Sequence, residues 1–132
     1  MKRRKFLVQA ATPFLVFCAS CGKSGDTPRK DTVDFMIDLN NDLLAIGSSI
    51  VRSGVIVVRR NTGNLIGSFI AFQVECTHAA NPIVWNQAQQ QFNCNLHGSI
   101  FSSTGAVVNG PANRSLQPYN LQLNGTQLRI SG

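Results

Sequence analysis

The pattern of apolar and polar positions predicts a domain built from short β-strands. Residues 33–39 alternate between apolar and polar side chains, as in a strand with one buried face. Residues 55–58 and 65–74 are rich in β-branched and aromatic side chains, and an Asn-Thr-Gly turn at residues 61–63 lies between them. These two runs therefore predict a β-hairpin.

A second hairpin is predicted near the carboxyl end of the chain. Residues 121–123 and 128–130 flank Asn124-Gly125, and Asn-Gly is the strongest short-range hairpin signal. The glutamine-rich residues 87–91 are predicted to form a polar loop. Little of the 3.6-residue periodicity of an amphipathic helix is present. We therefore expect an all-β domain of eight to ten strands.

The first twenty residues are typical of an export signal. A basic start precedes an apolar run over residues 6–20, shorter than the roughly 20 apolar residues of a membrane-spanning helix. The Arg-Arg pair at residues 3–4 resembles a twin-arginine motif. The segment ending at Cys21 resembles a lipoprotein cleavage box, from which Cys18 departs, and implies lipidation of Cys21. We predict a signal peptide over residues 1–20, with an uncleaved anchor as the alternative.

The remainder divides into a tether and one domain. Residues 22–32 contain only Gly, Ser, Thr, Pro and charged side chains, so residues 21–32 are predicted to form a flexible, lipid-linked tether. Residues 33–132 are long enough for one hydrophobic core. We expect this domain on the periplasmic side of a membrane, held by the lipid anchor.

The distribution of charge argues against a nucleic-acid partner. The chain has 12 basic and 6 acidic residues and a formal net charge of +6, but four basic residues lie at positions 2–5. Without these four, eight basic residues stand against six acidic ones, a net charge of +2. That balance is typical of an ordinary protein surface.

Both histidines of the chain lie close to a cysteine. His78 follows Cys76 by two residues, and His97 follows Cys94 by three. Each pair comes directly after a strand-like run, so two loops are predicted to present two thiolates and two imidazoles to one metal centre. A single zinc ion would take all four ligands in a tetrahedral site. A Rieske 2Fe-2S centre would take the cysteines on one iron and the histidines on the other.

Two groups of residues resemble Rieske domains. The ligand order and spacing of that family are matched by Cys76-x-His78 and Cys94-x-x-His97-Gly98-Ser99. The proline loop that covers the cluster in the family is resembled by Gly110-Pro111-Ala112 with Leu116 and Tyr119. The resemblance covers about residues 33–132. It implies a Rieske-type antiparallel sandwich or partial barrel with a small cluster-binding subdomain, and it leaves a structural zinc domain as the remote alternative.

The resemblance also implies which residues bind the cluster. Cys76 and Cys94 would hold the buried iron of one 2Fe-2S cluster, and His78 and His97 would hold the outer iron, which changes oxidation state. Neutral imidazole ligands raise the reduction potential, and such centres span roughly −150 to +300 mV.

Further predictions concern the reduction potential and the residues around the implied cluster. High-potential members of the family have a serine and a tyrosine that donate hydrogen bonds to cluster sulfurs. This chain has Ser99 but carries Phe101 at the tyrosine position, so we predict an intermediate, positive potential. Phe101 is also a candidate core aromatic. Gly98 and Gly110 are predicted to have positive φ or to approach the cluster closely, and Pro111 is predicted to lie in the covering loop.

The same high-potential proteins carry a disulfide between the two cluster loops. Its cysteines would fall at Asn81 and Leu96, and the two cysteines that are not candidate ligands lie in residues 1–21. We therefore predict that packing replaces the disulfide. The expected contributors are Leu96, Pro82, Ile83, Trp85 and Pro111.

The candidate ligands predict that the chain transfers electrons. We expect no site of its own that converts a substrate. A Rieske oxygenase needs a second iron site with two further histidines, and both histidines of this chain are already assigned. The expected partner is a redox protein or a quinol. Two functions stay open: an anchored carrier that passes single electrons between proteins, and a subunit of a quinol-oxidising or other oxidoreductase complex.

Overall fold

The computed structural model describes residues 32–132. The predicted signal peptide, the lipidation site at Cys21 and nearly all of the tether lie outside the described residues. Within residues 32–132, no helix has the length and apolar character needed to cross a bilayer. This part of the chain forms a short 3₁₀ turn at Ile66–Ser68 and the following strands: β1 Asp34–Asp38, β2 Ser49–Arg52, β3 Val55–Arg59, β4 Phe69–Gln73, β5 Val84–Asn86, β6 Gln91–Asn93, β7 Ile100–Ser102, β8 Val107–Asn109, β9 Asn120–Asn124 and β10 Gln127–Ser131.

The ten strands form three antiparallel sheets. The terminal sheet has the order β1-β10-β9, the central sheet β2-β3-β4 and the four-stranded sheet β5-β6-β7-β8. Every strand pair is antiparallel. The prediction of an all-β fold with eight to ten strands is confirmed.

The central sheet is the middle layer, because its strand β3 is buried on both faces. Val55 and Val57 belong to a core shared with the terminal sheet, which contributes Ile37, Leu128 and Ile130. Ile56 and Val58 belong to a second core with Phe92 and Phe101 of the four-stranded sheet. A continuous apolar run suits such a strand, since alternate side chains enter different cores.

Both predicted hairpins form. β3 pairs with β4 over residues 55–59 and 69–73, and β4 begins only at Phe69 because the 3₁₀ turn precedes it. β9 pairs with β10, and Asn124 lies opposite Gln127. The turn residues are therefore Gly125 and Thr126, and Asn124 is the last residue of β9. Gly125 has a φ of +62°, and a hairpin with glycine at the first turn position favours this register.

The glutamine-rich segment forms the predicted turn at residues 87–90, while Gln91 already belongs to β6. Side-chain hydrogen bonds join this turn to the segment that follows β3. Arg60 Nε donates to Gln90 Oε1 at 2.9 Å, and Gln87 Nε2 donates to the Arg60 carbonyl at 3.1 Å. Trp85 Nε1 donates to Gln87 Oε1 at 2.7 Å. The four-stranded sheet is thus linked to the central sheet by polar contacts as well as by the core.

Gly105 provides a test of the second core. It has a φ of +84°, and a Cβ atom built there would lie 2.6 Å from Phe72 Cε1. We predict that Gly105→Ala lowers the free energy of unfolding by about 2–5 kcal/mol, since backbone strain adds to a clash with a buried ring. Gly54 has a similar φ of +77° with no atom near its Cβ position, so Gly54→Ala should cost only about 1–2 kcal/mol. Urea unfolding measures both, and equal losses would contradict the close contact with Phe72.

Candidate functional site

The first loop, residues 74–82, carries Cys76 and His78. Its ends are held together because Ile83 N–H donates to the Val74 carbonyl at 2.8 Å. Inside the loop, Cys76 N–H donates to the Asn81 carbonyl at 2.8 Å. The loop therefore closes on itself directly after β4 and turns the Cys76 side chain into the second core.

The second loop, residues 94–99, carries the other candidate pair. Cys94 N–H donates to the Ser99 carbonyl at 2.8 Å, and Gly98 N–H donates to the Cys94 carbonyl at 2.9 Å. Gly98 has a φ of +80°, which glycine adopts without steric cost. The prediction of positive φ at Gly98 is confirmed, and the tight turn places Cys94 and His97 on one loop.

The four candidate ligands separate into a buried pair and an exposed pair. Cys76 is 4% exposed and Cys94 is 1% exposed, and both are free thiols. His78 and His97 are exposed, and their ring centroids lie 4.9 Å apart at an interplanar angle of 77°. The structure thus places both thiols in one core and brings the two imidazole rings together at the surface. Within residues 32–132 it forms no group of three such side chains around a single metal position, and a centre with two irons needs only one pair of side chains on each iron.

The surroundings of Cys76 favour its ionised form. Burial alone would raise the pKa of the Cys76 thiol. Nearby hydrogen-bond donors outweigh burial and hold its pKa below the ordinary value: the backbone N–H groups of His78 and Ala79, the Ser99 hydroxyl and the Cys94 thiol. This donor set favours the thiolate form, the form in which cysteine binds iron. The interior of the site therefore fits a metal centre with sulfur ligands.

A third segment, the proline loop of residues 110–114, is fastened to both ligand-bearing loops. Ala112 N–H donates to Ser99 Oγ at 3.1 Å, and Ser99 is completely buried. Thr77 Oγ1 donates to the Arg114 carbonyl at 2.6 Å. These two contacts join the proline loop to the second loop and to the first loop, respectively.

Two expectations about this region need correction. Gly110 does not have positive φ, because it precedes Pro111 and a residue before proline is restricted in conformation. The alternative expectation, that Gly110 approaches the cluster closely, stays a prediction. Leu96 is 64% exposed, and Pro82 and Pro111 are also exposed, so these three side chains add little packing between the loops.

Other expected packing residues are confirmed. Ile83 is 2% exposed and packs in the second core together with both cysteines. The Trp85 ring lies edge-on to Phe92, with ring centroids 4.8 Å apart. Phe101 is completely buried in the same core, as expected for a core aromatic.

Sequence reasoning missed Thr77, Ala112 and Arg114 as the residues that fasten the loops. The Thr77 and Arg114 contact joins positions 37 residues apart, and the Ser99 and Ala112 contact joins positions 13 residues apart. No local pattern marks such pairs. The only available indication was the polar threonine between two candidate ligands.

A surface groove of about 350 Å³ lies where the family's inter-loop disulfide would be. Its lining residues come from both loops and from β5: Asn81, Pro82, Val84, Asn95 and Leu96. The two positions at which the disulfide cysteines were expected to fall, Asn81 and Leu96, thus border the same groove.

A family model described as Rieske [2Fe-2S] domain matches residues 35–120 of the chain. The cytochrome b6-f complex iron-sulfur subunit 2 of Trichormus variabilis is 41% identical over 56 residues, which cover 42% of this chain and 32% of that protein. The chain thus matches about a third of the length of such curated relatives.

Solved structures give a consistent result. The plasma membrane Rieske protein PetC3 from Synechocystis PCC 6803 is 33% identical with a TM-score of 0.52, and the match covers 59% of this chain and 76% of that chain. The ferredoxin of carbazole 1,9a-dioxygenase from Nocardioides aromaticivorans IC177 has a TM-score of 0.55 at 23% identity, covering 72% of this chain and 92% of that chain. The second likeness is one of fold alone.

The groove between the loops yields a prediction. The double variant Asn81→Cys, Leu96→Cys should form a disulfide across it and stabilise the domain by about 3 kcal/mol, the effect expected for a closed loop of about 15 residues. Thiol titration and urea unfolding, each with and without reductant, measure the bond and its effect. The single variants are the controls. Two more titratable thiols in the unreduced double variant than in the wild-type protein would contradict the close approach of these positions.

Proposed function

This chain belongs to the Rieske [2Fe-2S] domain family, and on that premise we propose that it transfers single electrons through one cluster held by four side chains: Cys76, His78, Cys94 and His97. The family binds a 2Fe-2S cluster, so the chain binds one per molecule. The cluster, and not a structural zinc ion, therefore accounts for the two cysteine–histidine pairs. The assignment of these four as the ligands is our proposal.

The observation that carries the ligand assignment is the separation of the two pairs. Both thiols lie in the second core, whereas both imidazoles lie at the surface. A cluster with two different irons needs two different ligand pairs, one on each side. When bound, the cluster supplies a one-electron change of oxidation state, and the thiolate-stabilising donors around Cys76 suit the inner iron.

The burial of the four side chains indicates which face of the site exchanges electrons with a partner. Cys76 and Cys94 are closed off from solvent by the core that contains Ile83, Ala112 and Leu116. The exposed rings of His78 and His97 are the part of the site that a partner can contact. Electrons therefore enter and leave on the imidazole side, which we call the tip.

We infer the location of the protein from the export-signal and lipoprotein-like motifs of residues 1–21. We place it on the periplasmic side of a membrane, with a signal peptide over residues 1–20 and a lipid on Cys21. The twin-arginine route carries folded proteins with their cofactors inserted, which suits an iron-sulfur protein. The name of the Synechocystis neighbour, a plasma membrane Rieske protein, supports a membrane location.

A second candidate function is that of a subunit in a quinol-oxidising complex. The names of the curated relatives favour it, since they are iron-sulfur subunits of cytochrome b6-f complexes. The exposed imidazoles would then accept a hydrogen bond from the quinol. Co-purification of the native protein with a multi-subunit membrane complex separates this function from that of an independent carrier.

Removal of an imidazole tests the ligand assignment. We predict that His97→Ala loses the iron, the inorganic sulfide and the electron paramagnetic resonance (EPR) signal of the reduced protein, because one iron lacks a ligand. Asn95→Ala, in the same loop, is the matched control and should retain all three. Elemental analysis and low-temperature EPR make the measurement. A wild-type spectrum from His97→Ala would rule out this residue as a ligand.

Removal of the buried hydroxyl tests its effect on the potential. Ser99→Ala should lower the midpoint potential by about 20–60 mV, the equivalent of about 0.5–1.5 kcal/mol of hydrogen bonding that favours the more negative reduced state. Ser102→Ala is the control, because the Ser102 hydroxyl bonds to Thr104 Oγ1 in the neighbouring turn. Redox titration followed by EPR gives both values. Equal midpoints for the two variants would show that the Ser99 hydroxyl does not act on the cluster.

A further inference from the structure

The tip lies within an unusually long uncharged segment. The 38 residues from Cys76 to Asn113 contain no Asp, Glu, Lys or Arg. They include residues 76–82 of the first loop, the whole second loop and the whole four-stranded sheet. The charged residues that border the segment are Glu75, which is exposed at the start of the first loop, and Arg114. A surface with so little charge produces little long-range electrostatic steering of a partner.

Apolar side chains are exposed beside the imidazoles. In the groove between the loops, Leu96 is 64% exposed and Val84 is 44% exposed, and Pro82 is exposed as well. Leu96 directly precedes His97, whose ring lies against that of His78. These side chains do not belong to either hydrophobic core. Exposed apolar grooves beside a functional group are typical of interaction sites.

One cation stands at the edge of this surface. Arg114 is exposed, and its backbone is held against the first loop by the hydrogen bond from Thr77. Its Nη2 atom lies 3.5 Å from the Thr77 carbonyl, which places the guanidinium beside the residue that precedes His78. Arginine at the edge of an apolar patch pairs well with a single carboxylate.

We propose that the tip docks a one-electron redox protein whose surface is an uncharged apolar patch with a carboxylate at its edge. The partner's apolar patch packs against Leu96, Val84 and Pro82. Its carboxylate pairs with Arg114. The inference rests on the proposed function and names the chemistry of the partner. One electron crosses between the cluster and the partner's redox centre, and no covalent bond forms or breaks. A strongly acidic partner does not fit, because Arg114 is the one cationic side chain that borders the tip segment.

Two small oxidants test the apolar contact on the reduced holoprotein. Tris(1,10-phenanthroline)cobalt(III) presents apolar rings, and ferricyanide presents a hydrophilic anion; each accepts one electron, forming cobalt(II) and ferrocyanide. Stopped-flow measurements give the ratio of the two second-order rate constants. We expect Leu96→Ser to lower the cobalt-to-ferricyanide ratio about fivefold, because an apolar contact in the encounter complex is lost. A change in midpoint potential alters both rates and largely cancels in the ratio.

Leu65→Ser is the matched control. Leu65 is 68% exposed, close to the value for Leu96, but it lies beside the 3₁₀ turn and does not line the groove. The ratio should be unchanged in this variant. Equal ratios in Leu96→Ser and Leu65→Ser would overturn the apolar docking surface. If the reduced protein shows no cluster signal and reduces neither oxidant, the proposed function itself fails.

Arg114→Gln tests the charged edge of the surface. At low ionic strength it should slow the reaction with ferricyanide about twofold to threefold, since the anion loses a nearby cation. Arg52→Gln makes the same change of net charge on β2, where Arg52 contacts Met36 and Phe35, and should have a smaller effect. Equal effects would remove Arg114 from the docking surface.

A lipid surface is the competing occupant of the groove. Flotation with phosphatidylcholine vesicles distinguishes it from a protein partner when the full-length protein carries Cys21→Ser, which removes the proposed lipid. We expect that adding Leu96→Ser or Leu65→Ser leaves the flotation of this protein unchanged. Loss of flotation on adding Leu96→Ser alone would assign the groove to lipid and overturn the proposal.

Discussion

The arrangement of the site depends on the hydrogen bonds of one buried hydroxyl. Ser99 Oγ accepts the Ala112 N–H at 3.1 Å, which fastens the second loop to the proline loop. The bond from Ala112 uses an acceptor lone pair of the hydroxyl and leaves its one proton free to be donated. The same hydroxyl helps to hold the pKa of the Cys76 thiol on the first loop below its ordinary value, so one side chain acts on all three loops. Ser99 is completely buried, so its hydroxyl must find its partners inside the protein.

The three-layer architecture explains how sulfur atoms and imidazoles come to lie on opposite sides of the site. β3 sends alternate side chains into two cores, and the core on the side of the four-stranded sheet continues through Phe92 to both cysteines. Each ligand-bearing loop leaves this core at its cysteine and returns after its histidine. Burial of the thiols and exposure of the rings are therefore consequences of loop geometry.

Local sequence patterns predicted much of this structure, but they could not predict contacts between residues that are distant in sequence. The β-hairpins and the two cysteine–histidine pairs depend on residues close in sequence, so spacing was sufficient. The contacts of Thr77 with Arg114 and of Gly105 with Phe72 depend on how loops pack in three dimensions. The same limit explains the errors at Gly110 and Leu96. Glycine content alone did not distinguish the positive φ of Gly98 from the backbone of Gly110 before a proline, which lacks it, and the apolar character of a loop residue did not reveal its exposure.

The central claim is that the two imidazoles of the chain bind one iron of the cluster. Pulsed EPR of the reduced protein, prepared with ¹⁵N-labelled histidine, tests it most directly, because His78 and His97 are the only histidines present. The account predicts a spectrum with an average g value below that of the free electron and two strongly coupled nitrogens that change on labelling. A cluster signal without histidine couplings, or no signal together with stoichiometric zinc, would contradict it.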